Sequence, residues 1–381
     1  MLLAAALAPA AVRAHDAFDY PAVTPRARPL HFPRDFGAHP PFRIEWWYLT
    51  GLLDSAPQMP QGRLGIQLTF FRIRPPIDPD NPSRFAAHQV VMAHAAIADP
   101  RRGSLLHEER IERVGFGIAS VSEADTEVQV DGWSLARDPA TGIYRGKARG
   151  DRFNLEVLAT PAQPPLLQGD GGYSRKGPEA SDSTEGTAPA SFYYSQPQLA
   201  LRAQVWIAQD ADGAGGEERD GATGAPRAGL GWLDHEWSSA LLPLQAAGWD
   251  WGGFNLDDGS ALTVFRIRRS GAAAADPPYF AYASLRQPGG STRTFASAQV
   301  TFELRELWTS PRTRAVYPVA QQIRVGSRRF ETRPLMQDQE LDGRARTGFA
   351  YWEGASDLLE DGRTIGRGYL ELTGYTGAVP G

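Results

Sequence analysis

Leu68-Thr69-Phe70-Phe71-Arg72-Ile73-Arg74 occurs a second time in the chain as Leu262-Thr263-Val264-Phe265-Arg266-Ile267-Arg268, with one substitution. Each copy follows a short turn and an aromatic segment, Trp46-Trp47-Tyr48 in the first and Trp249-Asp250-Trp251 in the second. An aromatic strand, a turn and a second strand are typical of a β-hairpin. Because self-similarity of this kind marks repeated structural units, the sequence predicts two related β-domains that each begin with the same hairpin.

The composition and the spacing of apolar segments indicate an all-β protein. The 381 residues include 40 glycines and 30 prolines, which suit many short strands joined by turns and disfavour a helical bundle. Apolar segments such as 42–53, 63–74 and 87–97 lack a sustained 3.6-residue period and alternate with turn residues, as in a meander that closes into a barrel. With the repeat, this pattern predicts two tandem antiparallel β-domains, spanning 25–240 and 241–381, each with the strand pattern of a barrel.

Charge and cysteine content exclude several classes of function. The net charge is −5 without a basic block, so nucleic-acid binding has little support. The absence of cysteine excludes disulfides, thiolate catalysis and cysteine-based zinc sites.

The amino terminus has the pattern of an export signal. Residues 1–14 form an apolar run that ends in Val12-Arg13-Ala14, a small-x-small cleavage site before His15. The run has no basic start, which indicates a truncated signal peptide. We expect a secreted or periplasmic protein.

A second motif, Gly231 to Ser239 followed by Gly248 to Trp251, holds four of the ten tryptophans. If the first part is a strand, alternation sends Asp234 and Glu236 to one face and His235 and Trp237 to the other. If the segment bends, all four side chains would line one cavity.

Several stretches resemble a known family. They are FPRDFGAHPPFRIEWWYLTGLL (32–53), GIQLTFFRIR (65–74), GYSRKGP (172–178), GWLDHEWSS (231–239), GWDWGGFNLDDG (248–259), DQEL (338–341), and YWEGA with GRGYLELTGYTG (351–377). The chain is similar to the lipocalin-like proteins grouped with bacterial carotenoid 1,2-hydratase (hydroxyneurosporene synthase, CrtC), including the secreted AttH-like branch. Fungal kievitone hydratase looks like a more distant relative. The resemblance implies two tandem lipocalin-like antiparallel β-barrels packed together, with a site lined by the aromatic motifs.

The resemblance also implies a function. In the hydratase branch a His-x-Trp pair with a neighbouring acid is implicated in adding water to a terminal double bond. His235 and Trp237 match that pair, and Asp234 is the neighbouring acid. This implies a hydratase that acts on an apolar, isoprenoid-like small molecule without a cofactor. The AttH-like branch implies an alternative: a non-catalytic periplasmic carrier of a lipophilic molecule that works with an ABC transporter. A glycan-binding module that stacks sugars on its tryptophans is a third hypothesis.

Hydration of an unactivated alkene needs a strong acid and a shielded tertiary cation. A carboxylic acid whose pKa is raised by an apolar pocket can supply the proton, and aromatic faces stabilise the cation. We assign Asp234 as the acid and His235 as the residue that positions it or activates water. Trp237 is assigned to the catalytic site as one of the aromatic rings that stabilise the cation. The remaining substrate-binding candidates are Glu45, Trp46, Trp47, Tyr48, Tyr194, Trp232, Glu236, Trp249, Asp250 and Trp251. The competing interpretation makes Asp234 and His235 a buried structural pair and the tryptophans core residues.

Three other patterns carry weaker signals. Glu45 and Glu236 each precede a tryptophan and could form an acid-base pair, but salt bridges to arginines such as Arg72 are the favoured interpretation. His88 and His94 would share a face of a predicted strand, yet a spacing of six is no recognised ligand signature, so no metal is predicted. Residues 172–177 lack the setting of a phosphate loop and are predicted to cover a barrel mouth.

Overall fold

The computed structural model describes residues 20–25, 30–55, 62–178, 189–208, 226–240, 242–243, 245–272 and 276–377. The predicted signal segment, residues 1–14, lies outside this part of the chain. Within it there is no α-helix, and the short 3-10 helices Arg34–Phe36 and Ser297–Gln299 are the helical turns. No helix in the described segments has the length and apolar character needed to cross a bilayer. The prediction of an all-β fold is confirmed.

The first sheet is antiparallel and curls into a barrel-like half. Its strand order is β4-β3-β2-β1-β13-β12-β9-β8-β7-β6-β5, and β10 and β11 also pair with β12. The strands are β1 Ile44–Leu53, β2 Leu64–Ile73, β3 Val90–Ala98, β4 Leu106–Arg113, β5 Ala119–Val121, β6 Glu127–Val130, β7 Trp133–Arg137, β8 Tyr144–Arg149, β9 Phe153–Pro161, β10 Leu166–Leu167, β11 Tyr173–Arg175, β12 Ala190–Ile207 and β13 Arg227–Ser238.

The second sheet has the same plan. Its order is β17-β16-β15-β14-β23-β22-β20-β19-β18, with β21 paired to β22. The strands are β14 Ala246–Leu256, β15 Ala261–Arg269, β16 Phe280–Arg286, β17 Thr292–Phe295, β18 Val300–Thr309, β19 Val316–Val325, β20 Arg328–Pro334, β21 Glu340–Asp342, β22 Ala350–Glu360 and β23 Arg363–Thr373.

The repeated sequence forms equivalent hairpins in the two sheets. Trp46 lies opposite Phe71 in the pair β1–β2, and Trp251 lies opposite Phe265 in the pair β14–β15. Strand β13 flanks β1 as β23 flanks β14. The repeat therefore extends beyond the hairpin to the order of the neighbouring strands.

Strand β1 is buried on both faces, which explains its almost continuous apolar sequence. One face, which includes Trp47, Leu49 and Leu53, packs inside the first barrel. The opposite face carries Tyr48 and Leu52, which form one cluster with Trp232 of the neighbouring strand β13 and with three residues of the second sheet, Trp251, Phe265 and Tyr369. The molecule thus has a core in each barrel and a third apolar layer between the barrels.

Candidate functional site

A cavity of about 230 Å³ lies in the layer between the barrels. Its walls come from both sheets because the outward faces of β1, β2 and β13 meet those of β14, β22 and β23. The walls are mostly aromatic and aliphatic, and they include Trp46, Tyr48, Phe71, Tyr193, Trp249, Trp251, Phe265, Phe349 and Tyr351.

Four carboxyl groups and one lysine interrupt this apolar wall. The acids are Asp234, Glu236, Glu353 and Glu371, and the cation is Lys176. Lys176 forms an ion pair with Glu236, and its Nζ lies 5.6 Å from the centre of the Trp46 ring. The other three acids line the cavity with no ion pair to Lys176 in the described residues.

Glu353 is the carboxyl group best placed to hold a proton. Its side chain is 1% exposed, and its Oε1 accepts a short hydrogen bond from the Tyr48 hydroxyl. Its other oxygen, Oε2, is buried and has no hydrogen-bond partner among the described residues. Burial, and next the charge of Glu371 directly opposite on β23, raise the pKa of Glu353 well above its ordinary value. Both effects favour the protonated form of Glu353.

Asp234 also faces the cavity but has no free oxygen. Its Oδ1 accepts hydrogen bonds from Ser195 Oγ at 2.5 Å and Trp232 Nε1 at 2.7 Å, and its Oδ2 accepts one from the Tyr193 hydroxyl at 2.8 Å. Trp251 Nε1 in turn donates to the Tyr193 oxygen at 3.0 Å. Burial outweighs these hydrogen bonds and raises the pKa of Asp234 to about 7.

Glu371 lies opposite Glu353 on the adjacent strand. Its Oε1 accepts hydrogen bonds from Trp249 Nε1 at 2.9 Å and from Thr373 Oγ1 at 2.8 Å. Burial raises the pKa of Glu371 to about 7, against the effect of those hydrogen bonds. The cavity thus contains two adjacent acids, Glu353 and Glu371, whose pKa values are both raised by burial.

The structure does not bring Asp234 and His235 to one cavity, because β13 is extended and sends them to opposite faces. His235 lies inside the first barrel, where it stacks on Trp47 with ring centres 4.7 Å apart, and Trp237 stacks on His39 at 3.7 Å. Tyr194 is in the same interior and its hydroxyl lies 3.1 Å from His235 Nδ1. His235, Trp237, Glu45, Trp47 and Tyr194 therefore form the barrel core rather than the cavity wall.

Glu45 is the centre of a polar network in that core. Its Oε1 accepts from His39 Nδ1 at 2.7 Å and His235 Nε2 at 2.8 Å, and its Oε2 accepts from Arg72 Nε at 2.8 Å. Burial alone would raise the pKa of Glu45, but the hydrogen bonds from His235 and His39 and the charges of His39 and Arg72 hold it well below its ordinary value. The favoured interpretation of Glu45, a salt bridge to Arg72, matches this geometry.

The same network is the place where a metal ion could be held. His39, Glu45 and His235 are the group in the described segments whose potential ligand atoms lie within 4.8 Å of one another. Both nitrogens of His39 already lie within hydrogen-bond distance of carboxylates, Glu45 at 2.7 Å and Asp35 at 3.2 Å. Glu45 is also paired with the Arg72 guanidinium. The polar atoms of this group are therefore satisfied by one another.

Asp250 occupies the equivalent place in the second barrel. It forms ion pairs with Arg266 and Arg268 and accepts a hydrogen bond from the Tyr375 hydroxyl at 2.9 Å. Its register opposite Arg266 matches that of Glu45 opposite Arg72. Asp250 is therefore a core residue of the second barrel and not a cavity residue.

Six candidates do gather at the cavity. Trp46, Tyr48, Asp234, Glu236, Trp249 and Trp251 line it, and Trp232 packs behind Asp234. Since these rings lie between the barrels, they form no open stacking platform for a glycan.

His88 lies before β3, so it does not share that strand's face with His94, whose Nδ1 is 2.8 Å from the Tyr351 hydroxyl. Residues 173–175 form a strand instead of a loop, and Lys176 beside it reaches the cavity.

Sequence reasoning missed Glu353, Glu371, Tyr193 and Lys176. The available signal was the repeat itself. Trp251 of the second hairpin corresponds to Trp46 of the first. Glu236 lies opposite Trp46, and Glu371 lies opposite Trp251 in the same way. Extending the repeat from the hairpin to the last strand would have marked Glu371, and its cross-strand neighbour Glu353 follows.

Comparison with known proteins places the chain in a family. Residues 23–375 match the AttH-like family model. A solved AttH structure from Nitrosomonas europaea is 44% identical, with a TM-score of 0.80 over 93% of this chain and 99% of that one. Kievitone hydratase from Nectria haematococca shares the fold, with a TM-score of 0.64 at 12% identity over 94% of this chain and 97% of that one. No curated protein matches the chain significantly. The chain belongs to the AttH-like family.

Proposed function

We propose that the protein is a cofactor-free hydratase of the carotenoid 1,2-hydratase type, which adds water to a double bond of an apolar, isoprenoid-like molecule in the cavity between the barrels. The observation that carries the proposal is Glu353. A carboxyl group whose protonated form is favoured by burial, which has one oxygen without a partner in the described residues and which faces an aromatic cavity, is equipped to protonate carbon. The fold shared with kievitone hydratase is consistent with this chemistry.

The reaction needs only side chains of the cavity and one water molecule. Glu353 gives its proton to one alkene carbon, so a C–H bond forms, the π bond breaks, and a cation is left on the other carbon. Water adds to that cation through a C–O bond and releases a proton to the Glu371 carboxylate. Because Glu371 lies opposite Glu353 on the adjacent strand, its proton can return to Glu353 and restore the starting state.

The aromatic wall fits the cationic intermediate. Trp46, Trp249, Trp251 and Tyr48 present their rings to the cavity, and ring faces attract positive charge by about 0.5–2 kcal/mol each. Asp234, held by three donors, lines the same cavity, and its ionised form would stabilise the cation. This assigns Asp234 to stabilising the cation, whereas the sequence had suggested it as the acid.

The size of the cavity indicates how much of a substrate it takes. Its volume of about 230 Å³ is below the roughly 300–1,000 Å³ of pockets that enclose a whole ligand. We infer that the cavity receives the end of an apolar chain, where a terminal double bond would lie.

The test follows oxygen from heavy-oxygen water into product, with lycopene in detergent and geraniol in buffer as probes. Wild type is expected to yield labelled alcohol. Glu353→Gln should lose on the order of 10²-fold or more, because an amide cannot donate the proton. Glu331→Gln removes an exposed acid from β20 of the same sheet and is the matched control, with wild-type activity expected.

The carrier remains a second candidate because the cavity wall is mostly apolar, which binding alone requires. In that case wild type would bind lycopene and form no labelled product, and Glu353→Gln would bind it equally well. The ABC transporter suggested by the family resemblance would then be the partner to seek. If wild type and Glu353→Gln formed labelled product equally well, the hydratase assignment would stand, but Glu353 would not be its proton donor.

A further inference from the structure

An exposed apolar patch lies at one end of β4, and nothing proposed so far uses it. We define the rim patch as Phe85, Phe116 and Ile118 with Arg113 between the rings. Phe85 is 70% exposed, Phe116 51% and Ile118 45%. The two phenylalanine rings stack with centres 5.7 Å apart. The Arg113 guanidinium lies 5.0 Å from the Phe85 ring centre and 4.6 Å from that of Phe116, so one cation joins both rings.

The rim patch continues into the cavity wall. Ile111 lines the cavity and is 44% exposed, so it stands at the cavity mouth. Arg113 is two residues further along β4, on the same face as Ile111. Across the sheet, Arg113 pairs with Val90, and Val90 pairs with Ile73, which also lines the cavity. The rim patch and the cavity wall are therefore joined through neighbouring positions of one sheet, with Ile111 and Arg113 on the same strand between them.

A lipid surface fits this patch better than a second copy of the chain. Each of the four large side chains, counting Ile111, would offer about 200 Å² of apolar surface if it were fully exposed. At their observed exposed fractions the four side chains together present roughly 400 Å² to solvent. Two copies would bury roughly 800 Å² in total, below the ~1,200 Å² at the low end of stable interfaces. Aromatic rings beside an arginine are, by contrast, the residues that anchor proteins at the membrane interface, where rings enter the acyl boundary and the cation meets headgroups.

We propose that the rim patch docks on a lipid bilayer, so that an apolar substrate passes from the membrane along Ile111 into the cavity. The inference rests on the proposed function for the nature of the substrate. A molecule that partitions into lipid has a negligible concentration in water, and a cavity mouth held against the bilayer removes the aqueous step. The proposal therefore makes the substrate a membrane-dissolved lipophile.

The test compares the full chain with Phe85→Ser/Phe116→Ser. The control variant is Leu304→Ser/Leu307→Ser, which removes side chains 46% and 53% exposed on β18, away from the residues that line the cavity. Co-sedimentation with vesicles of phosphatidylcholine and phosphatidylglycerol is expected to weaken at least tenfold for the rim variant and to stay unchanged for the control. Hydration of lycopene dissolved in those vesicles should fall by a similar factor, while hydration of geraniol in buffer should not change.

Each of the other outcomes would overturn one part of the proposal. Vesicle binding that is absent in wild type, or equal in the rim variant, overturns the docking surface. A wild-type dimer in sedimentation equilibrium that the rim variant converts to monomer assigns the patch to a second copy of the chain. If wild type binds vesicles through the patch but hydrates neither lycopene nor geraniol, the docking surface stands and the proposed hydratase fails.

Discussion

The two faces of β1 and β13 carry buried acids that behave in opposite ways. On the interior face, Glu45 accepts hydrogen bonds from His39, His235 and Arg72, and its pKa is held well below the ordinary value. On the outer face, Asp234 lies within an apolar layer and its pKa is raised to about 7. Glu353, which meets Tyr48 across that layer, has its pKa raised well above the ordinary value, mainly by burial.

The difference shows that burial alone does not decide the state of an acid. All three side chains are almost fully inaccessible to solvent. Glu45 has cationic partners that outweigh its loss of hydration, whereas Asp234 and Glu353 have neutral hydroxyl and indole donors instead. Glu45 therefore supports the fold as an anion, while Asp234 and Glu353 are available for proton transfer. Three predictions test this division.

The largest effect is expected for Glu45→Gln. The amide leaves the buried charges of His39 and Arg72 without their carboxylate, and breaking a buried pair in this way costs about 3–5 kcal/mol. Urea unfolding at pH 7 should show that loss, whereas Glu353→Gln should unfold at or above the wild-type midpoint. Equal destabilisation by the two substitutions would contradict the division into structural and reactive acids.

A second effect is a pH dependence of stability from Asp234. Its pKa is near 3.9 in the unfolded chain and about 7 in the folded protein. The folded state therefore binds more protons between these values, and the contribution is complete below about pH 4 and lost as pH rises through 7.

Asp234→Asn has no proton to lose, so its unfolding free energy should rise relative to wild type between pH 4 and 8, by at most about 4 kcal/mol. Chemical denaturation at both pH values measures the difference, with Glu331→Gln as the exposed control. A constant difference at the two pH values would show that Asp234 is ionised in the folded protein throughout this range.

The smallest effect is expected for Tyr48→Phe, which removes the hydroxyl that donates to Glu353. Loss of one hydrogen bond costs roughly 1 kcal/mol of stability. The same hydrogen bond lowers the pKa of Glu353, so its removal raises that pKa. The alkaline limb of kcat/KM for hydration should move to higher pH. A limb that stays in place would mean that another group supplies the proton.

Much of the fold was predictable because its signals are local. The repeated hairpin predicted two related β-units, and the structure contains two sheets with the same strand order. The site was predictable only in part. Six of the predicted residues line the cavity: Trp46, Tyr48, Trp249, Trp251, Asp234 and Glu236. Six others lie in the barrel cores: His235, Trp237, Glu45, Trp47, Tyr194 and Asp250.

The sequence by itself determined the strands, their repetition and the face on which each side chain lies, because the two-residue period of a strand is a local property of the backbone. Only the tertiary structure decided which faces meet. Tyr48 and Glu353 are 305 residues apart and come into contact only because the two barrels pack on each other. No local pattern encodes that contact, since it depends on the shapes of two closed sheets, and the candidate acid of the cavity became visible only with it.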